Sequence, residues 1–218
     1  MCQNDRSVIL LTKALMPLKG KTKQDIVTEF RNAEILEAAR KVFAKNGFSG
    51  TSVEAIAQEA GIAKGTLYLY YSSKQEIYSA SLKNGLAALC SELRQQIEAT
   101  FTVEDKIRAF VKTKLSFFEQ HKDFFKIYHA EFGNSIASPP RTGFLELLLE
   151  QLEMLKGILQ EGSVQKKIRE VDLEPTAFAI FDVTRGAITQ RLLGYSQLSI
   201  QEEIDFLCDF IWKGIACQ

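Results

Sequence analysis

Cysteine and histidine are scarce in this chain and poorly placed for metal chemistry. Cys2, Cys90, Cys208 and Cys217 contain no Cys-x-x-Cys pair, and His121 and His129 stand eight apart without further ligands at metal-binding spacing. Neither a zinc module nor a disulfide framework is expected, so no metal is assigned. The thiols read as reduced and partly buried, with redox sensing by Cys90 or Cys208 as the alternative. No apolar run is long enough to span a bilayer. The stretch nearest to a secretory core, Val8 to Leu11, is interrupted by Lys13, so a cytoplasmic protein without a membrane partner is expected. Strand alternation, internal repeats and low-complexity segments are missing too, which makes the fold class all-α. No Ser-His-Asp layout, phosphate-cradling glycine loop or paired catalytic carboxylates stand out. Nothing therefore supports an enzyme, and no cofactor is expected.

What is present is an ordinary globular composition: 218 residues, 46% hydrophobic and 25% charged. A core of useful size can be buried without covalent staples. The net charge is +0 but unevenly spread. Residues 1–80 hold eleven basic and eight acidic residues (+3), and residues 81–218 hold sixteen and nineteen (−3). A basic front on an acidic body suits a DNA reader whose rear half does something else.

The most informative stretch runs from Thr51 to Lys74. Thr51 or Ser52 can cap a short helix, and Glu54, three after Thr51, completes a capping box. Val53, Ile56, Ala57 and Ala60 recur at helical spacing, and Gly61 follows where a left-handed residue ends a helix. A second helix fits Ala63 to Tyr70, with Ile62 and Leu67 closing the small core. Two short helices across a tight turn form a helix-turn-helix, whose second helix enters the DNA major groove. The candidate DNA-contacting residues are Thr51, Ser52, Lys64, Gly65, Thr66, Tyr68, Leu69, Tyr70 and Lys74. Lys64 and Lys74 offer charge to phosphates, Gly65 and Thr66 permit close backbone approach, and Tyr68 and Tyr70 offer hydroxyls on rigid arms. A plain helical hairpin, its tyrosines serving only for packing, is the competing reading of the same residues.

The residues Phe43, Gly47, Phe48, Thr51, Ser52, Ile56, Ala57, Ala60, Gly61, Lys64, Gly65, Thr66, Leu67, Tyr68, Tyr70, Ser73 and Lys74 closely resemble the DNA-binding domain of TetR-type transcriptional regulators. The resemblance covers roughly Asn32 to Leu82 and is most specific in the Gly65 to Lys74 run. Tyr71 stands where the family usually has Phe, and Leu69 where a His or polar residue is common; Leu69 is suited to a thymine methyl. The resemblance implies a three-helix DNA-binding domain, a larger helical ligand-binding and dimerisation domain, a double-stranded DNA operator and a small-molecule effector.

Along the chain, residues 1–24 read as a flexible basic arm, 25–74 as the DNA-binding domain and 75–218 as the ligand-binding and dimerisation domain. A first helix is expected from Thr28 or Asn32 to Asn46, stopped at Gly47. Ser72 or Ser73 opens a long helix reaching about Thr100, and a phosphate can sit at its start beside Lys74. Further helices fit Val103–Glu119, Lys122–Phe132, Arg141–Glu161, Pro175–Leu193 and Ser199 or Ile200 to Ala216, with a loop over Gly133–Gly143 and a turn over Val164–Glu170. Aromatic residues crowd the middle of the chain beside a few polar ones, the make-up of a small-molecule site. Phe117, His121, Tyr128, Phe132, Phe181 and Arg185 are the candidate ligand contacts; Asp182, Glu131 or an acidic ligand would pair Arg185. The last two helices carry apolar residues on more than one face. The resemblance implies that this pair forms a four-helix bundle with its copy in a homodimer. The leading function is a ligand-responsive repressor; the alternative is a helical ligand-binding or scaffold protein that does not read DNA.

Overall fold

The structure, a computed structural model of the chain, describes residues 22–134 and 144–217. The expected N-terminal arm, apart from its last three residues, and most of the loop expected over Gly133–Gly143 lie outside the described residues. Nine helices account for the described fold: α1 (Lys23–Gly50), α2 (Val53–Glu59), α3 (Lys64–Tyr68), α4 (Lys74–Glu98), α5 (Val103–Gln120), α6 (Lys122–Asn134), α7 (Phe144–Val164), α8 (Leu173–Leu192) and α9 (Ile200–Ile215). The only β pairing among them is an isolated antiparallel bridge between Ile168 and Ala216. The all-α expectation therefore holds. The chain divides into two compact units: residues 1–88 with 123–144, and residues 89–122 with 145–218. The division falls inside α4, which begins at Lys74, the residue expected to close the DNA-binding domain.

In the first unit, α1 starts earlier than its apolar pattern suggests. Thr22 caps it through a reciprocal box with Asp25, whose amide donates to the Thr22 hydroxyl at 3.2 Å. Local capping extends a helix beyond its buried stripe. Near its other end Gly47 (φ +69) breaks the helix with a left-handed conformation that a side chain would strain, and a last short piece runs on to Gly50. Ile35, Ala39 and Phe43 of α1 are buried with Ile56 of α2, Leu67 of α3 and Ile77 of α4. Tyr78 stands edge-on to Phe43 and Phe48, with centroids 4.9 and 5.1 Å away. Farther along α4, a Cβ on Gly85 would lie 2.3 Å from the Phe124 ring. Glycine there is what lets α6 approach.

In the second unit, α5 packs on α8 and α9. Ile107, Phe110, Val111, Leu115 and Phe118 form its buried stripe, as their spacing predicts. Ion pairs brace the rims: Arg108 with Asp205 at 2.6 Å and Lys106 with Glu161 at 2.5 Å. Arg191 ties the α8–α9 turn together, bonding the buried Glu203 at 2.6 Å and the Leu198 carbonyl at 3.0 Å. Beside the bridge, the Arg169 amide donates to the Ile215 carbonyl at 2.8 Å. The turn expected over Val164–Glu170 thus clamps the end of α9.

Candidate functional site

Ser52, not Thr51, caps α2: its hydroxyl accepts from the Ala55 amide at 3.1 Å. The Thr51 side chain is buried, and its hydroxyl donates to the Gly47 carbonyl at 2.7 Å. Glu54 consequently does not close a capping box with Thr51. Its carboxylate instead takes a hydrogen bond from Lys64, across the turn. That bond holds the Glu54 carboxyl below its usual range and the Lys64 ammonium above its own. Gly61 (φ +65) makes the turn, and Ala63 starts α3 without a side-chain cap. α3 spans five residues, ending at Tyr68, where the expected helix ran on to Tyr70.

A single buried anchor, Leu67, fixes the short helix. Lys64, Gly65, Tyr68 and Leu69 are exposed around it, Leu69 at 84% and Tyr68 at 46%, while Thr66 and Tyr70 are half-buried. Such an outward apolar residue beside a phenol and an ammonium offers both apolar and hydrogen-bonding contacts, the kinds that read base edges in a major groove. The Lys64 ammonium lies 5.7 Å from the Tyr68 ring centroid. Lys74 sits behind this face. Its ammonium donates to the Phe48 and Thr51 carbonyls, both at 2.8 Å, and lies 4.6 Å from the centre of the Phe48 ring. Two of its three N–H donors are thus engaged in joining α4 to the end of α1, and one remains for a phosphate. At the α4 terminus, Glu76 accepts from the Ser72 amide at 2.7 Å while the Ser73 hydroxyl accepts from the Glu76 amide at 3.2 Å. The anion expected beside Lys74 is met there by the chain's own carboxylate.

Sequence reasoning missed Asn32, whose side-chain oxygen accepts from the Tyr71 hydroxyl. Burial pushes the Tyr71 phenol up to about 12, so it stays a donor. The available signal was the tyrosine at position 71, since a phenol hydroxyl that becomes part-buried needs a hydrogen-bond partner.

The candidate ligand contacts are divided between the two units. Phe117 is buried and pairs with His121 at 4.2 Å between centroids, and Phe181 is buried, all in the second unit. Arg185 is half-buried and bonds Asp182 at 3.0 Å, one of the partners its sequence context offered. Tyr128 belongs to the first unit, where it packs against Phe124, Phe125 and Phe144. The Phe132 side chain lies outside the described residues. The group that sequence reasoning overlooked is Lys114. It falls on the buried stripe of α5, between Phe110, Val111 and Leu115, and is only 2% exposed. Its ammonium is 3.9 Å from the Phe181 ring centroid and 5.2 Å from that of Phe110. Burial lowers its pKa to about 7. A lysine at a helical repeat position of apolar residues was the available signal.

No group of three or more metal-ligating side chains occurs among the described residues. Likewise, no described helix is long and apolar enough to cross a membrane. The thiols of Cys90 and Cys208 are buried, which pushes them up to about 12 and about 11; this opposes the redox-sensor alternative.

A helix-turn-helix head with an outward second helix, on a chain that continues into a helical body, defines a DNA-binding transcriptional regulator. Comparison with known proteins agrees. Residues 35–80 match the family model described as bacterial regulatory proteins, tetR family. The chain is 28% identical over 183 residues to the fatty acid metabolism regulator protein of Bacillus subtilis, covering 84% of this chain and 94% of that protein. It is also 28% identical over 181 residues to the transcriptional repressor KstR2 of Mycobacterium tuberculosis, covering 78% and 90%. Among solved structures, FadR from Bacillus subtilis in complex with stearoyl-CoA superposes with a TM-score of 0.71 at 22% identity, covering 84% of this chain and 98% of that one. Residues 35–80 thus carry the DNA-binding module described for the tetR family of bacterial regulatory proteins.

Proposed function

We propose that the protein is a cytoplasmic, ligand-responsive repressor that occupies a palindromic operator as a homodimer and leaves it when a small apolar molecule binds the helical body. The observation that carries the DNA-reading half is the exposed face of α3, with Leu69 outermost and Leu67 as its buried anchor. The contact set is Ser52, Lys64, Gly65, Thr66, Tyr68, Leu69 and Tyr70, with one N–H of Lys74 on a phosphate. Residues 25–74 read DNA in this scheme, and residues 75–218 bind effector and partner. α4, shared by both units, is the covalent route for the signal; its 25 residues extend about 37 Å at ~1.5 Å per residue.

The dimer half rests on the second unit. Phe178 of α8 and Phe206 and Phe210 of α9 are exposed at 44–59%. Beside them a groove of about 580 Å³ is lined by Val183, Gln190, Tyr195 and Leu198. Aromatic groups left uncovered at this density mark an interaction surface. Relatives named for fatty acid metabolism, and one solved with stearoyl-CoA, support an effector with a long apolar body.

An electrophoretic mobility shift with DNA from around the protein's own gene tests the reading. A salt-sensitive, sequence-specific shift is expected, and Tyr68→Ala with Leu69→Ala should abolish it in a protein that remains folded. No specific shift at any salt concentration would leave the scaffold reading.

A further inference from the structure

We infer that Lys114 anchors the carboxylate head of an otherwise apolar effector inside the second unit. This deepens, and rests on, the ligand-responsive reading above. Lys114 is 2% exposed, and its ammonium donates to no acceptor among the described residues. A lysine is almost never buried without a partner, because removing an ammonium from water is costly. Two aromatic faces, Phe181 at 3.9 Å and Phe110 at 5.2 Å, offset part of that cost and supply no hydrogen bond.

The chain's own groups do not complete the site. Three titratable groups act on Lys114 electrostatically: Cys90 of α4 and Asp182 and Arg185 of α8. The Asp182 carboxylate is bound by Arg185 through Nε at 3.0 Å and a terminal nitrogen at 2.9 Å. The Cys90 thiol donates to the Leu147 carbonyl at 3.5 Å, and its pKa of about 12 keeps it neutral. Gln151, fully buried on α7, donates to that same carbonyl at 3.3 Å, and its Oε1 is a second unpartnered polar atom of this interior. What the residues lack is one negative charge delivered by something that tolerates aromatic walls. A carboxylate on an apolar body meets both demands. A dianionic phosphate would give up more hydration to a single ammonium, and a small inorganic ion gains nothing from the rings.

Thermal unfolding and calorimetric titration with carboxylates graded from benzoate to dodecanoate, each beside its alcohol, test this on the whole protein. At least one carboxylate should stabilise and bind the wild type while its alcohol does not. Lys114→Met should raise the melting temperature of the unliganded protein and weaken that carboxylate by roughly 10- to 100-fold, the range for one hydrogen bond to a charged group. Equal binding of every carboxylate and its alcohol by the wild type overturns the inference, and so does undiminished carboxylate binding by the variant. If the variant does not fold, the wild-type comparison of acid with alcohol decides alone. Operator release, followed by mobility shift, separates the two proposals. A carboxylate that binds through Lys114 without releasing DNA overturns the ligand-responsive repressor and leaves the subsite. Release by an uncharged ligand, equal in Lys114→Met, overturns the subsite and leaves the repressor.

Discussion

Lys74 and Lys114 are both withdrawn from bulk water, and their surroundings give them opposite effects on stability. Lys74 has two carbonyl acceptors at 2.8 Å and an aromatic face. Lys74→Met should destabilise the protein by about 1–3 kcal/mol, the range for charged hydrogen bonds, read as a lower denaturant midpoint. Lys114 has rings and no acceptor, and its folded pKa of about 7 lies below the ordinary 10.5. Between those values the unfolded chain binds more protons than the folded one. Stability linked to this group therefore rises as pH increases from about 7 towards 10.5. The difference between wild type and Lys114→Met in melting temperature should narrow over that window; a constant difference across it would show that Lys114 keeps its proton in the fold. Both lysines were visible in the sequence, but their partners were not. The carbonyls that hold Lys74 lie 23 and 26 residues earlier, a separation that periodicity cannot bridge, and Lys74 therefore read simply as charge for a phosphate.

At the scale of elements, the head of the molecule was legible and its boundaries were less so. Gly47 and Gly61, where helices were expected to stop, are left-handed, and Ile35, Ala39 and Phe43, at helical spacing in the sequence, form the buried side of α1. Capping decided the rest. Thr22 lengthens α1 through Asp25, and the choice between Thr51 and Ser52 went to Ser52 because Thr51 turns inward to the Gly47 carbonyl. Ser52→Ala should remove about 1 kcal/mol of stability, while Thr51→Ala leaves α2 capped. α3 is too short to hold itself, since isolated helices of this length are marginal. Its orientation depends on Leu67. Leu67→Ala should therefore lower stability by roughly 2–5 kcal/mol and abolish DNA binding together. Lys64→Ala should leave stability nearly unchanged, because its pair with Glu54 is exposed. The same variant should reduce the dependence of log affinity on log salt by about one unit if Lys64 contacts a phosphate. An unchanged salt slope would assign Lys64 to the Glu54 pair alone.

The molecule as a whole is expected to act as a pair, and the sequence pointed to the pairing surface through apolar residues on two faces of α8 and α9. Ala177, Ile180, Phe181, Ile204, Leu207 and Ile211 fill the interior of the second unit, which accounts for one face. Phe178, Phe206 and Phe210 stay outside, and the Phe206 and Phe210 rings stack with centroids 6.3 Å apart. Among their acidic sequence neighbours, Glu202 and Asp205 are exposed, while Glu203 is buried against Arg191. Arg191 thereby fixes the turn that presents α9. A two-fold dimer of helix-turn-helix heads reads half-sites on successive major-groove turns, about 34 Å apart. Phe206→Glu with Phe210→Glu places four carboxylates in such an interface, two from each copy, where rings now stand. Sedimentation velocity should then report a single chain where the wild type reports two. The melting transition should lose its dependence on protein concentration. Operator binding should weaken by far more than one half-site's share, because each head would bind alone at its own affinity. Retention of the two-chain species by this double variant would move the dimer surface away from α9, and an unchanged operator affinity would show that a single head suffices.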